Sequence, residues 1–216
     1  MTDILIEGGI VLTVNREWKI FPNGAVAVRG DRITEVGDTD NLKKKHPTPK
    51  KVINAKNKLV MPGLINTHTH LHLELIKGMV PGNYGYGDPW MIRVGAAYMK
   101  GQFSKERAYL SSMLGCAEAI KGGATSLIDC GPPPRFEEMP ARAIADSGIR
   151  GVVAIRAQDL FGPPGFVGTK EDMELYGATA EANIARIEDL IKKYHNMAEG
   201  RVSIWPCLFY MPNASD

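Results

Sequence analysis

Over the first sixty residues, apolar side chains come in short runs that alternate with polar ones and are interrupted by glycine. Ile4 to Glu7, Ile10 to Val14, Gly24 to Val28 and Arg32 to Val36 are such runs, with Gly8-Gly9 and Arg29-Gly30-Asp31 between them. Period-two alternation broken by turn residues predicts antiparallel hairpins with one buried face. The product expected over 1–60 is a small β-sandwich or sheet. Val52-Ile53-Asn54 and Lys58-Leu59-Val60 predict one last hairpin, and Met61-Pro62-Gly63 then ends the pairing.

From Leu64 the pattern alternates short apolar runs with longer stretches of helical period. Ser104 is placed to cap a helix that carries Glu106 in its first turn, where a carboxylate complements free backbone N–H groups. Leu110, Met113, Leu114, Ala117 and Ile120 recur at helical spacing until Gly122-Gly123. A strand over Thr125 to Ile128 follows, then a helix over about Phe136 to Ala145 closed by Gly148. Gly151 to Ala157 is almost wholly apolar, as a strand covered on both faces must be. A long helix over about Ala178 to Tyr194 is expected to bury Ala182, Ala185, Leu190 and Ile191. Val202 to Leu208 supplies a fourth strand. Strands alternating with helices pair in parallel, so the fold class is α/β, either an open doubly wound sheet or a (β/α) barrel. Four strands are present where a closed barrel needs eight, and the loop-like tail Met211 to Asp216 follows the fourth directly.

Composition narrows the classes of function. With 216 residues and 44% apolar content the chain can build a real core. Lys and Arg number 26 against 24 Asp and Glu, and they are dispersed, which gives a nucleic-acid partner no support. Lys43-Lys44-Lys45-His46, followed by Pro47 and Pro49, reads as a solvated loop. Cys116, Cys130 and Cys207 are odd in number and lie in apolar stretches, so they read as small buried side chains in a reducing compartment. No segment approaches the roughly 18 consecutive apolar residues of a membrane span. The expectation is a cytoplasmic protein with no membrane partner.

The segment that carries chemistry is Pro62-Gly63-Leu64-Ile65-Asn66-Thr67-His68-Thr69-His70. Leu64 and Ile65 start a buried strand, and two histidines spaced by one residue follow at its carboxyl end. Strand side chains alternate in direction, so His68 and His70 project to the same side and can share one cation. In barrel enzymes, that end of the strands holds the active site. His72 continues the alternation, as a polar residue at the mouth of the pocket. His195 falls at a helix end and His46 in the basic cluster, and neither is given a catalytic role. Asp129 and Asp159, near the ends of two strands, are within reach of the pocket but read first as capping or loop hydrogen-bonding groups.

A Pro-Gly turn, an apolar strand start, the histidine pair and a preceding β-rich region together resemble the amidohydrolase superfamily. Within it the chain is similar to the group of chlorohydrolases and S-adenosylhomocysteine deaminases, to which Gly115-Cys116-Ala117-Glu118-Ala119-Ile120-Lys121-Gly122-Gly123-Ala124-Thr125 also corresponds. The resemblance implies that 1–60 is an N-terminal β-sandwich part and 61–216 the first half of a TIM barrel. It implies that His68 and His70 ligate a divalent metal, one zinc with iron as the alternative. A histidine and an aspartate from later barrel strands complete such a site, and no catalytic residue of that later set is in this chain. The reaction implied is hydrolysis of a C–N or related C–X bond on a small ring or amide substrate by metal-activated water. Trp90, in the glycine-rich loop after the first strand, corresponds to a substrate-facing tryptophan, with packing that anchors the loop as the equal alternative, and His72 is the second substrate-side candidate. The acidic residue that such deaminases direct at a ribose has no counterpart among Ala96 to Phe103, which argues against a nucleoside. Val202 to Leu208 contains neither Lys nor Glu, which favours one metal over two. The competing expectation is a non-catalytic truncated or split fragment, whose open sheet edges need the missing C-terminal half or a second copy of the chain.

Overall fold

The computed structural model describes residues 2–78, 104–159 and 179–208. The chain divides into two compact units, Met1–Gly63 and Leu64–Asp216.

In the first unit β1 (Ile4–Leu12), β2 (Ile20–Arg29) and β3 (Arg32–Asp38) form an antiparallel meander with β2 at its centre. Helix α1 (Thr39–Lys45) follows, and its Leu42 packs with Leu5, Ala25 and Ala27. The intervening residues Ile6, Val26 and Val28 point the other way, as the strand period requires. Together with Val11, Phe21 and Val36 they help line an open apolar trough of about 470 Å³. Among the described residues this unit therefore holds one sheet with a helix on one face.

Two local expectations are overturned here. Lys43, Lys44 and Lys45 are solvent-exposed but helical, forming the last turn of α1. Cations are favoured there by the free carbonyls of a helix C-terminus. The expected final hairpin does not form. Instead β4 (Lys51–Asn54) and β5 (Leu59–Val60) both pair with β1, in parallel and in tandem along the same edge. The register of β1 shifts between Glu7 and Gly9, with Gly8 at φ +78°. At that bulge Ala55 N–H donates to the Glu7 carbonyl and Ile10 N–H to the Lys58 carbonyl, so the chain steps past and resumes pairing.

The second unit is a parallel four-stranded sheet in the order β6-β7-β8-β9, formed by Leu64–Thr69, Ala124–Cys130, Arg150–Ala157 and Val202–Leu208. Each strand lies beside its sequence neighbour. A doubly wound sheet would reverse that order at a switch point, so the barrel alternative is the one realised. Helices α2 (Lys105–Lys121), α3 (Glu138–Ser147) and α4 (Ala180–Tyr194) connect the strands. The Ser104 hydroxyl caps α2 by accepting from Arg107 N–H at 3.2 Å, and Gly148 ends α3 at φ +83°. Leu127, Ile144, Val153, Ile155, Val202 and Ile204 form the centre of one apolar core.

The inward faces of two helices differ from the expectation. Helix α2 buries Ala108, Ser111, Ser112, Gly115 and Cys116, while Leu110, Leu114, Ala117 and Ile120 are exposed. The helix lies so close to its neighbours that only small side chains fit: a Cβ on Gly115 would come within 2.6 Å of Leu71. Helix α4 turns Asn183 and Ile187 inward, leaves Ala182 and Ala185 exposed, and packs Leu190 and Ile191 only partly.

Candidate metal centre

Strand β6 ends at Thr69, which lies beside Asp129 of β7. Beyond it the backbone turns, with His70 at φ −127° and ψ 80°, into a 3-10 helix over Leu71–Ile76. His68 therefore stands on the strand and His70 at its exit. His72, expected to extend the alternation, sits buried within the 3-10 helix because the strand has already ended.

The two candidate ligands face each other. The imidazole centroids of His68 and His70 are 5.0 Å apart with the ring planes at 87°. Two imidazoles that bind one ion through nitrogens at ~2.1 Å, at a near-tetrahedral angle, have centroids about 5 Å apart. The ring of His70 is also fixed. Its Nδ1 lies 2.7 Å from the Cys130 carbonyl oxygen, which can only accept, so Nδ1–H donates and the lone pair is on Nε2. Burial lowers the pKa of His70, against the opposing effect of the Cys130 bond, so the ring is neutral near pH 7 as a metal ligand must be. These residues fit a divalent ion. His72, 5.8 Å from His70 between centroids, is driven by burial down to about 3 and stays neutral. Among the described residues no third His, Cys, Asp or Glu joins the pair as a metal cluster.

The supporting groups lie on β7 and α2. Asp129, fully buried at the end of β7, accepts from Leu71 N–H through Oδ1 at 2.9 Å, and its Oδ2 has no hydrogen-bond partner among the described residues. Burial pushes its carboxyl up to about 7, with the Leu71 bond acting in the other direction. Ser111 of α2 donates to the Leu71 carbonyl at 2.7 Å and accepts from Leu75 N–H at 3.3 Å. Arg156 of β8 donates to the Gly131 carbonyl at 2.8 Å, one residue beyond Cys130. Sequence reasoning gave Asp129 a hydrogen-bonding role without its partner and missed Ser111. A polar pair on the inner face of α2 was the available signal, hidden by the more apolar outer face.

The remaining candidates fall elsewhere. Trp90 and Ala96 to Phe103 lie outside the described residues. His195 is exposed at the end of α4, where its Nδ1 accepts from Ile204 N–H at 3.1 Å. His46 bridges Thr2 and Glu35 in the first unit. Asp159 is half-buried just past β8. Cys116, Cys130 and Cys207 are free thiols, and no helix among the described residues is long and apolar enough to cross a membrane.

Comparison with known proteins adds to this picture. The profile of the Amidohydrolase family matches residues 59–216, and that of an imidazolonepropionase-like composite domain of bacteria matches residues 24–48. A 5'-deoxyadenosine deaminase of Methanococcoides burtonii is 28% identical over 99% of the chain. A 5-methylthioadenosine/S-adenosylhomocysteine deaminase of Symbiobacterium thermophilum is 32% identical over 71% of it. The chain covers 43% and 34% of these two relatives, so it spans less than half of their length. A crystal structure of an atrazine chlorohydrolase from Arthrobacter aurescens, complexed with zinc, superposes over 98% of this chain and 48% of its own. Its TM-score is 0.80 at 22% identity, a likeness of fold.

Proposed function

The chain belongs to the amidohydrolase family, and from that premise we propose that the protein is a metal-dependent hydrolase acting on C–N or related C–X bonds of a small ring or amide substrate. The observation that carries the reading is the His68–His70 pair at the carboxyl end of β6, with the His70 ring held by the Cys130 carbonyl. The ion is proposed to be one zinc, with iron the alternative. It would supply the Lewis acidity that makes a water nucleophilic near neutral pH. His70 offers Nε2 because its other nitrogen is engaged, and His68 meets it from the strand. Two histidines are half of a typical donor set, so the other donors and the proton-transfer groups are proposed to come from outside the described residues. Relatives named as deaminases of 5'-deoxyadenosine and S-adenosylhomocysteine favour an amino-bearing ring as the substrate. Trp90 and His72 remain the proposed substrate-side residues, His72 from a buried position. Three free cysteines accord with a cytoplasmic setting.

The test is metal analysis and ammonia release with the complete protein that carries this sequence, offered 5'-deoxyadenosine, S-adenosylhomocysteine and an aminotriazine. One equivalent of divalent metal and turnover of at least one ring are expected. His68→Ala and His70→Ala should each lose the metal and at least about a thousandfold in kcat/KM. Unchanged metal content in both variants would overturn the reading.

A further inference from the structure

The backbone between His70 and His72 is gripped from two directions by side chains that the metal reading does not itself require. Asp129 of β7 takes the Leu71 N–H, and Ser111 of α2 donates to the Leu71 carbonyl and accepts from Leu75 N–H. The Leu71 side chain, 1% exposed, is wedged against Gly115. Both gripping residues are fully buried, and each is tens of positions away in sequence. Burying a carboxyl group and a hydroxyl costs free energy that small apolar residues would avoid. A backbone held at both its N–H and its C=O cannot rotate about the peptide planes beside it. Were that grip lost, a change of ψ at His70 could turn its Cα–Cβ bond relative to the 3-10 helix and break the bond from Nδ1 to Cys130.

We propose that Asp129 and Ser111 are positioning residues that clamp Leu71 and thereby aim the His70 imidazole at the cation. Asp129 and Cys130 are consecutive, so one strand end secures both the backbone beyond His70 and its ring. The clamp rests on the reading that His68 and His70 hold a metal.

The experiment measures zinc affinity of the metal-free complete protein by competition with a chromophoric chelator, alongside the visible spectrum of the cobalt(II) form and the thermal midpoint of the metal-free form. Asp129→Ala and Ser111→Ala should each weaken zinc by about 10- to 100-fold, as loss of a group supporting a ligand does, and should alter the cobalt band. Asp129→Asn, which keeps an oxygen acceptor for Leu71 N–H, should stay within about threefold of the parent. A purely structural role would lower the thermal midpoint and leave affinity and spectrum alone. If folded Ser111→Ala and Asp129→Ala bind zinc like the parent, the clamp is wrong. Should Asp129→Ala not fold, Ser111→Ala decides by itself. Asn behaving like Ala at 129 also counts against the clamp, because charge and not the acceptor would then matter. His70→Ala separates the two ideas: undiminished zinc binding in that variant removes the metal reading, whatever the clamp variants do.

Discussion

A carboxyl group sealed from water has its ionisation set by solvation, and Asp129 shows how one residue can make stability depend on pH. Burial raises its pKa from 3.8 to about 7 in the folded protein. A raised carboxyl pKa means that the folded state holds the proton over a range where the unfolded chain has released it. The stability Asp129 contributes is therefore complete below about pH 4 and is lost as the pH rises to about 7. In metal-free protein, unfolding free energy measured for the parent relative to Asp129→Asn should fall across that window, by up to ~1.4 kcal/mol per pH unit, and level off above it. A flat difference would show that the carboxyl is solvated. At this scale the juxtaposition of His68 and His70 was legible, because its signal is local: two histidines one residue apart at a strand end. The Asp129 and Ser111 contacts were not, because they join residues 58 and 40 positions apart and carry no short-range pattern.

Strand and helix positions in the second unit were largely readable from capping and punctuation, which act within a few residues. Ser104 caps α2 and the left-handed Gly148 closes α3, as their sequence positions suggest. What failed was the choice of face. Helix α2 carries its larger apolar residues outward and its small ones inward, since close approach to the 3-10 helix and to α3 selects for volume and not hydrophobicity. A contrast in stability tests this. Leu110, half exposed on α2, should tolerate Leu110→Lys within about 0.5 kcal/mol. Ile144, fully buried on α3 against Gly151, should lose about 2–5 kcal/mol as Ile144→Ala. Denaturant midpoints of the two variants measure both, and comparable losses would show that the outward face of α2 is in fact covered. The failed hairpin is the same lesson in strands: alternation locates Val52 to Val60 in a sheet but does not name the partner, which the β1 bulge determines.

At the scale of the molecule, β6 pairs with β7 alone among the described residues, so the strand that carries His68 and leads into His70 is a sheet edge there. Its Ile65 is 67% exposed. An open apolar edge recruits further strands. Expressed as these 216 residues, the protein should self-associate at micromolar concentration in sedimentation velocity, and Ile65→Lys should shift it toward monomer. A monodisperse monomer in the parent would mean that the edge is protected. The tandem docking of β4 and β5 on β1 has a consequence in time. The β1–β2–β3 meander closes through near neighbours in the chain and can form as soon as about forty residues are free, but its parallel edge must wait for residue 60. During synthesis the first sheet would thus be sealed last by the stretch that leads directly into β6, so a ribosome-bound chain of which only the first fifty residues have left the exit tunnel should remain open to protease along β1.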